Sequence, residues 1–524
     1  SATFPWGPDS MSTLWDGVVA DAEILSNWKV MVHEYAGTVA VGCTGALVIF
    51  SKFGVTAHRI RLHDPTWNVA CVAWTLNPEA PTDPMIVFTA TSVVFILDVK
   101  TRNIVGKLRG HGGLITSLAV HPHHPYIFCT TSRDFTTRVY DLTLTPIQTP
   151  NNPHWLPNTT PSLAGPAHGL HSSEPEGEGI GRCVAVLVGG RSGGHKGAVF
   201  CAAFHPSSPL IATCGMDRAV KIWRMPPYKP DVLSREDRPL FSTHLIHKAR
   251  VLSIAWLSGD ILVSHSAPAI MRGATRDDMY EENGTVVIWQ WLGFDRYLPP
   301  GKPIQKVMRG CASDYRNSES FKVLSAYHLP MTTRNMTVYT SLDHDPLLLV
   351  PMGKTIRVFN LSQFSPRAPI PFPISEDVVA LTENLRLDDT ERAGGSGNVE
   401  GLSASAGVDT DVGEDGLQAT GYGDKEQSSG EDDSEGNAVD DDDDAPPEQG
   451  DVYDAPFPDF LPRMPPPAPL AELFDSVDGW DLDVTVDETR RSELPDITAC
   501  EVALGGRVVV GVGGKGTMYV WRTR

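Results

Sequence analysis

The sequence predicts an all-β fold, a seven-bladed β-propeller with long loop insertions, and three observations predict it. First, residues 110–141 (GHGGLITSLAVHPHHPYIFCTTSRDFTTRVYD) and 194–224 (GHKGAVFCAAFHPSSPLIATCGMDRAVKIWR) repeat one pattern: Gly-His, an alternating apolar run, a His-Pro turn, a second apolar run, an Asp turn and an aromatic ending. Second, a stretched copy opens HKARVLSIAWLSGDILVSHS at 247 and closes GTVVIWQ after a longer inner connection. Third, weaker copies in the same frame at 24–50, 67–98, 320–361 and 496–522 bring the number to seven.

Each copy reads as strands of about five residues separated by turns, the WD-repeat blade pattern. A single blade has a face it cannot bury alone, so blades stack radially and close into a ring, which removes exposed sheet edges. At roughly 40–45 residues per blade the ring needs about 300 residues. The surplus falls into tails and insertions: residues 1–23 read as an N-terminal tail and 24–363 as blades one to six, with insertions near 144–190, 226–245, 268–283 and 299–318. Residues 364–488 form an acidic, largely disordered insertion, and 489–524 supply the final blade that closes the ring. Near its end, Leu470, Leu473, Phe474 and Val477 have helical spacing, and Leu482, Val484 and Val486 alternate as in a strand, which predicts a helix and an outer strand packed back on the propeller.

The net charge is −21, yet residues 376–460 carry 26 carboxylates against three basic residues, so the rest of the chain is close to neutral. Such a segment has too few large apolar residues to offset its ordering entropy. Eight cysteines occur without a Cys-x-x-Cys pair, which points to neither a zinc site nor a disulfide framework and favours a reducing compartment. No apolar run of about 18 residues appears, and the opening SATFPWGPDS lacks the basic and apolar regions of a secretory signal, so a soluble intracellular protein with no membrane partner is expected.

His111, Ser132 and Asp134 carry the residue types of a hydrolase triad. Their place in the repeat identifies them instead as a blade's own polar network, with Tyr140 closing the blade, repeated by His195, Asp217 and Trp223 in the next one. Gly215 stands where the first copy has Ser132, so no nucleophile recurs. The HPHHP run holding His121, His123 and His124 has no metal-ligand spacing and reads as a solvated turn; no metal and no cofactor are expected. GVGGKGT at 511–517 precedes a strand rather than a helix and is not a phosphate loop. The sequence has no dense basic block interleaved with aromatics, so direct sequence-specific nucleic-acid binding is not expected.

CGMDRAVKIWR at 214–224, the opening GHGGLITSLAVHP at 110, and IHKARVLSIAWLSGDILVSHS at 246–266, with its Trp-Leu-x-Gly-Asp run, resemble the EED (Extra sex combs) family, WD-repeat subunits of Polycomb repressive complex 2. The resemblance covers about 24–361 and 496–524. It implies a nuclear, non-catalytic scaffold that grips a helix of the SET-domain histone methyltransferase on one face, joins other repressive-complex subunits and supports gene silencing and heterochromatin. It also implies an aromatic cage on the opposite face that reads trimethyl-lysine on the histone H3 tail. Carried over position by position, the cage falls on Trp28, Ala70, Phe321 and Lys322, with Trp67 close by. Two aromatics beside an ammonium make a poor cage, so weak or absent trimethyl-lysine reading is expected. The alternative is a generic WD-repeat adaptor such as a ubiquitin-ligase substrate receptor, but the blade ends VYDLT, KIWRM and VIWQW lack that class's Trp-Asp-x-Arg box.

Overall fold

Seven hydrophobic clusters, one at every junction between neighbouring sheets, fill the interior of the chain. The computed structural model describes residues 1–15, 21–146, 175–189, 193–226, 233–272, 279–282, 284–299, 314–329, 333, 335–341, 345–363, 479–484, 493–514 and 517–522. These build seven blades in chain order, beside one small two-stranded sheet. Blade one holds Ala2–Thr3, Val39–Cys43, Ala46–Ser51 and Thr56–Arg61. Blade two holds Val69–Asn77, Ala80–Ala90, Val93–Asp98 and Asn103–Leu108, and blade three Ile115–Val120, Ile127–Ser132, Thr137–Asp141 and Arg182–Leu187. Blade four holds Val199–Phe204, Leu210–Gly215, Val220–Arg224 and Phe241–Thr243, and blade five Val251–Trp256, Ile261–Ser266, Thr285–Trp291 and Phe321–His328. Blade six holds Thr337–Tyr339, Leu347–Met352, Thr355–Asn360 and Trp480–Asp483. Blade seven has three strands among the described residues, Ile497–Ala503, Val508–Gly513 and Met518–Arg522.

The strands just named form an antiparallel meander in every blade, so the first is innermost and the others follow outwards in chain order. Alternation along each strand sends one set of apolar side chains to the preceding junction and the other to the following one. In blade three, Phe128 and Tyr140 stack 4.9 Å apart towards blade two, whereas Cys129 and Val139 face blade four. The ring closes where Val508, Val510 and Val512 of blade seven pack on Val39 and Val41 of blade one. Thr3 Oγ1 donates to Val502 O across the same junction (3.1 Å).

Several expected boundaries move. Residues 24–32, expected to open the first blade (24–50), lie in a helix, Ala22–Tyr35. Ile24, Trp28, Met31, Val32 and Tyr35 fall on one helical stripe and pack into the cluster between blades one and two. No Gly or Pro interrupts the helix, and Gly37 at φ +74° follows its end. The inner strand of blade one is Ala2–Thr3, inside the expected tail. Phe321–His328, expected to open blade six, is the outer strand of blade five; blade six opens at Thr337.

The insertions contribute strands of their own. Arg182–Leu187 lies inside the expected 144–190 insertion and Phe241–Thr243 inside 226–245. Gly177–Gly179 adds a fifth strand to blade two, and Ser234–Glu236 a parallel fifth strand to blade three. In the 268–283 insertion, Ala269–Arg272 pairs antiparallel with Met279–Glu282. Trp480–Asp483, within the segment expected to be disordered, pairs with Thr355–Asn360, partly as Leu482 predicted. The expected helical stripe at 470–477 and the acidic run itself lie outside the described residues.

Candidate partner-docking site

The meander places the connection into each inner strand and the turn between its second and third strands at one end of the sheet; the two remaining connections lie at the other. A propeller therefore offers two faces, and the polar networks brace the first. In blade three, burial pushes the His111 imidazole below its ordinary value, so the ring is neutral. Its Nδ1–H donates to Asp134 Oδ2 (2.9 Å), and Nε2 accepts from Thr130 Oγ1 (2.8 Å). Burial alone would raise the Asp134 carboxyl, yet hydrogen bonds from His111 and Thr136 hold it well below the usual carboxylate range. Its other donors are the Gly112 amide (2.9 Å) and the Thr136 amide and hydroxyl (3.0 and 2.7 Å). Gly110 at φ +141° leads into this turn; a Cβ there would meet Arg138 Nη1 at 2.5 Å, which requires the glycine of the Gly-His opening.

Blade four repeats the arrangement. His195 Nδ1 faces Asp217 at 3.0 and 3.1 Å, His195 Nε2 pairs with Thr213 Oγ1 at 2.8 Å, and Trp223 Nε1–H donates to the same hydroxyl at 2.8 Å. His111, Asp134 and Tyr140 thus lie in one network, and His195, Asp217 and Trp223 in the other. It corrects the hydroxyl: Ser132 Oγ accepts only the Asp134 amide (3.2 Å), while Thr130 bonds the imidazole. Thr130 and Thr213 each stand four residues before the Asp, a signal the sequence carried.

Blade five holds a third network, in which His247 Nε2 pairs with Ser264 Oγ (2.7 Å) and Trp289 Nε1–H donates to Ser264 (3.0 Å). No carboxylate joins it; Thr285 Oγ1 lies 3.4 Å from Nδ1. Burial drives His247 down to about 3, assisted by its neighbour His265, and His265 itself down to about 4. Neither ring nitrogen of His265 has a hydrogen-bond partner.

The cage positions do not converge. Trp28 is fully buried, with its indole N–H donating to Gly7 O (3.1 Å) and its ring edge-on to Trp15. Phe321 and Lys322 sit on the outermost strand of blade five, where Phe321 packs edge-on to Trp289. Trp67 and Ala70 lie at the start of blade two; Ala70 is exposed, and Trp67 lines a cleft of about 370 Å³ with Phe95, Ile104, Lys107 and Glu178. The cage reading of these five residues is therefore corrected: one is core, two are on an outer strand, and no ring faces surround a common point.

The HPHHP run is more ordered than a solvated turn, since His121 Nδ1 accepts the amides of His123 and His124 (3.2 and 3.1 Å). Among the described residues, no three His, Cys, Asp or Glu side chains gather as metal ligands. On the face opposite the networks, a cleft of about 440 Å³ opens between blades three and four, lined by Tyr126, Ile127, Val184, Ala185, Met225 and Pro226 among others. Its walls are mostly apolar, its volume falls in the range of binding pockets, and it was not legible in the sequence.

The fold and its networks define the class: a WD-repeat β-propeller. The family described as WD domain, G-beta repeat matches residues 102–141 and 181–224, which carry the two Asp-His networks. Within that class the chain is similar to Polycomb group proteins. It is 24% identical over 199 residues to the Polycomb group protein FIE1 of Zea mays (37% of this chain, 34% of that one). It is 24% identical over 234 residues to the Polycomb protein EED of Chaetomium thermophilum (44% of this chain, 33% of that one). The matches thus span about a third of the length of these relatives. A crystal structure of the Chaetomium thermophilum Polycomb repressive complex 2 matches with a TM-score of 0.45 at 19% identity, covering 68% of this chain and 67% of that one.

Proposed function

We propose that this chain is a non-catalytic WD-repeat scaffold of a Polycomb repressive complex 2-like histone H3 lysine methyltransferase, working in the nucleus in gene silencing. The observation that carries the reading is the sequence similarity to EED and FIE1, which extends over more of the chain than the two matched repeats. A helix of the SET-domain subunit docks in the apolar cleft of Tyr126, Val184 and Met225, because an amphipathic helix needs an apolar groove bounded by polar rims. Trimethyl-lysine reading is weak or absent, since a quaternary ammonium requires several ring faces around one point.

Affinity purification of the full chain from its native nucleus tests the assignment: a SET-domain methyltransferase copurifies, and Met225→Glu with Tyr126→Ala lowers its recovery without lowering the chain's unfolding midpoint. Recovery of ubiquitin-ligase components and no SET-domain protein refutes it. Calorimetry with a trimethylated H3 peptide tests the second point; micromolar binding by the chain overturns it.

A further inference from the structure

Six connections of blades three, four and five lie on the braced face; one, between Ile261–Ser266 and Thr285–Trp291, carries the paired strands Ala269–Arg272 and Met279–Glu282, and the other five, whose described residues are 109–114, 133–136, 188–189 with 193–198, 216–219 and 244–250, make up one sector. They present Arg109, Arg133, Lys196, Arg218, Lys248 and Arg250, all exposed. In these five, the carboxylates of the described residues are Asp134 and Asp217, both turned inward onto an imidazole and backbone amides, while Glu281 and Glu282 belong to the sixth connection, at the blade-five margin of the sector. The sector is continuous. Thr116 Oγ1–H donates to Val199 O between blades three and four, and the Arg218 guanidinium donates to Lys248 O (3.4 Å) between blades four and five. Among the cations stand three exposed aliphatic side chains, Leu114 (46% exposed), Met216 (58%) and Leu245 (48%).

A folded part of nearly balanced charge does not concentrate cations around exposed aliphatics merely for solubility. We propose that this sector is a docking surface for an acidic peptide segment with interspersed apolar side chains. Charge complementarity sets the sign of the partner. The aliphatics decide between the two polyanions: Leu114, Met216 and Leu245 accept the side chains of a peptide but offer no ring on which a nucleic-acid base stacks. The surface is on the face opposite the Tyr126–Met225 cleft, so both partners bind at once, and it does not depend on what fills that cleft.

The test uses the full chain and a fluorescein-labelled peptide of repeating Asp-Leu-Glu-Phe, with oligoglutamate and a short DNA duplex as comparators. The Leu/Phe peptide binds several-fold more tightly than oligoglutamate, and binding weakens between about 50 and about 300 mM salt as screening shortens the reach of the charges. Arg133→Glu, Lys196→Glu and Arg218→Glu together weaken it about tenfold, from three exposed contacts of modest worth. Leu114→Ser with Met216→Ser weakens it about threefold, a loss on the scale of two partly exposed apolar contacts. Arg59→Glu with Arg61→Glu, on the outer strand of blade one, leaves it unchanged. Unfolding midpoints equal to the unaltered chain's show that the variants fold. The proposal is overturned if the peptide does not bind, if the outer-strand variant loses as much as the blade variants, or if the duplex binds more tightly than the peptide and is released by the same triple reversal.

Discussion

Lowering the pH from 7.5 to 5 is expected to destabilise the ring most through blade five, whose two buried imidazoles are driven furthest down. His247 and His265 are fully or nearly fully buried, sit near about 3 and 4 in the folded chain, and titrate near about 6.5 when unfolded. A folded value below the unfolded one means the unfolded chain takes up protons first, so stability is intact above about 6.5 and falls as the pH drops towards 4. Each unit of separation is worth about 1.4 kcal/mol, and at pH 5 each ring contributes about 2 kcal/mol of loss, about 4 kcal/mol for the two. That is a large share of the stability of a typical domain. Asp134 and Asp217 act at lower pH, because their carboxyls are held well below the usual range and ionise throughout this window. Urea titrations at pH 7.5, 6.5, 5.5 and 5 measure the loss, and His265→Leu, which removes a ring with no hydrogen-bond partner, makes the slope clearly shallower, while His111 and His205, also pushed down by burial, leave part of it in place. A flat profile, or an unchanged slope in His265→Leu, refutes the burial of these rings.

Three further outcomes follow from the contacts. Asp217→Ala strands the His195 imidazole and the Lys196 and Ala219 amides and costs about 2–3 kcal/mol in urea unfolding at neutral pH. Thr130→Val costs more than Ser132→Ala, by about 1 kcal/mol, because Thr130 bonds the His111 ring whereas Ser132 accepts one amide; chemical denaturation of the pair checks the order. Trp28→Ala removes a fully buried indole and its hydrogen bond and costs about 3–5 kcal/mol, read as a lower melting temperature, with no change in histone-peptide titrations.

Blades three and four were legible because each carries its turn signals at short range: Gly-His, His-Pro and Asp, all within one repeat. The legibility ends where a blade is assembled from distant pieces. Ala2–Thr3 is too short to show a period, and Arg182–Leu187 and Trp480–Asp483 are separated from their neighbours by long connections. In blade five the connection from Trp291 to Phe321 moved the reading frame by one strand, which put Phe321 and Lys322 at an inner position they do not occupy. Residues 24–32 satisfy both periods for a few positions, and only the length of the uninterrupted run separates helix from strand. His205 was invisible for another reason: its Nδ1 accepts the Ser207 and Ser208 amides and its Nε2–H reaches Gly259 O on the next blade (2.7 Å), a contact that no local pattern encodes.

The pairing of Val358 with Trp480 places the two ends of a stretch more than a hundred residues long side by side at the rim of blade six. Closing a flexible loop costs free energy only as the logarithm of its length, about 0.6 kcal/mol for each doubling. Blade six is therefore a port at which the chain can lengthen, shorten or accept a foreign domain with neighbouring termini, at little thermodynamic expense to the other six blades.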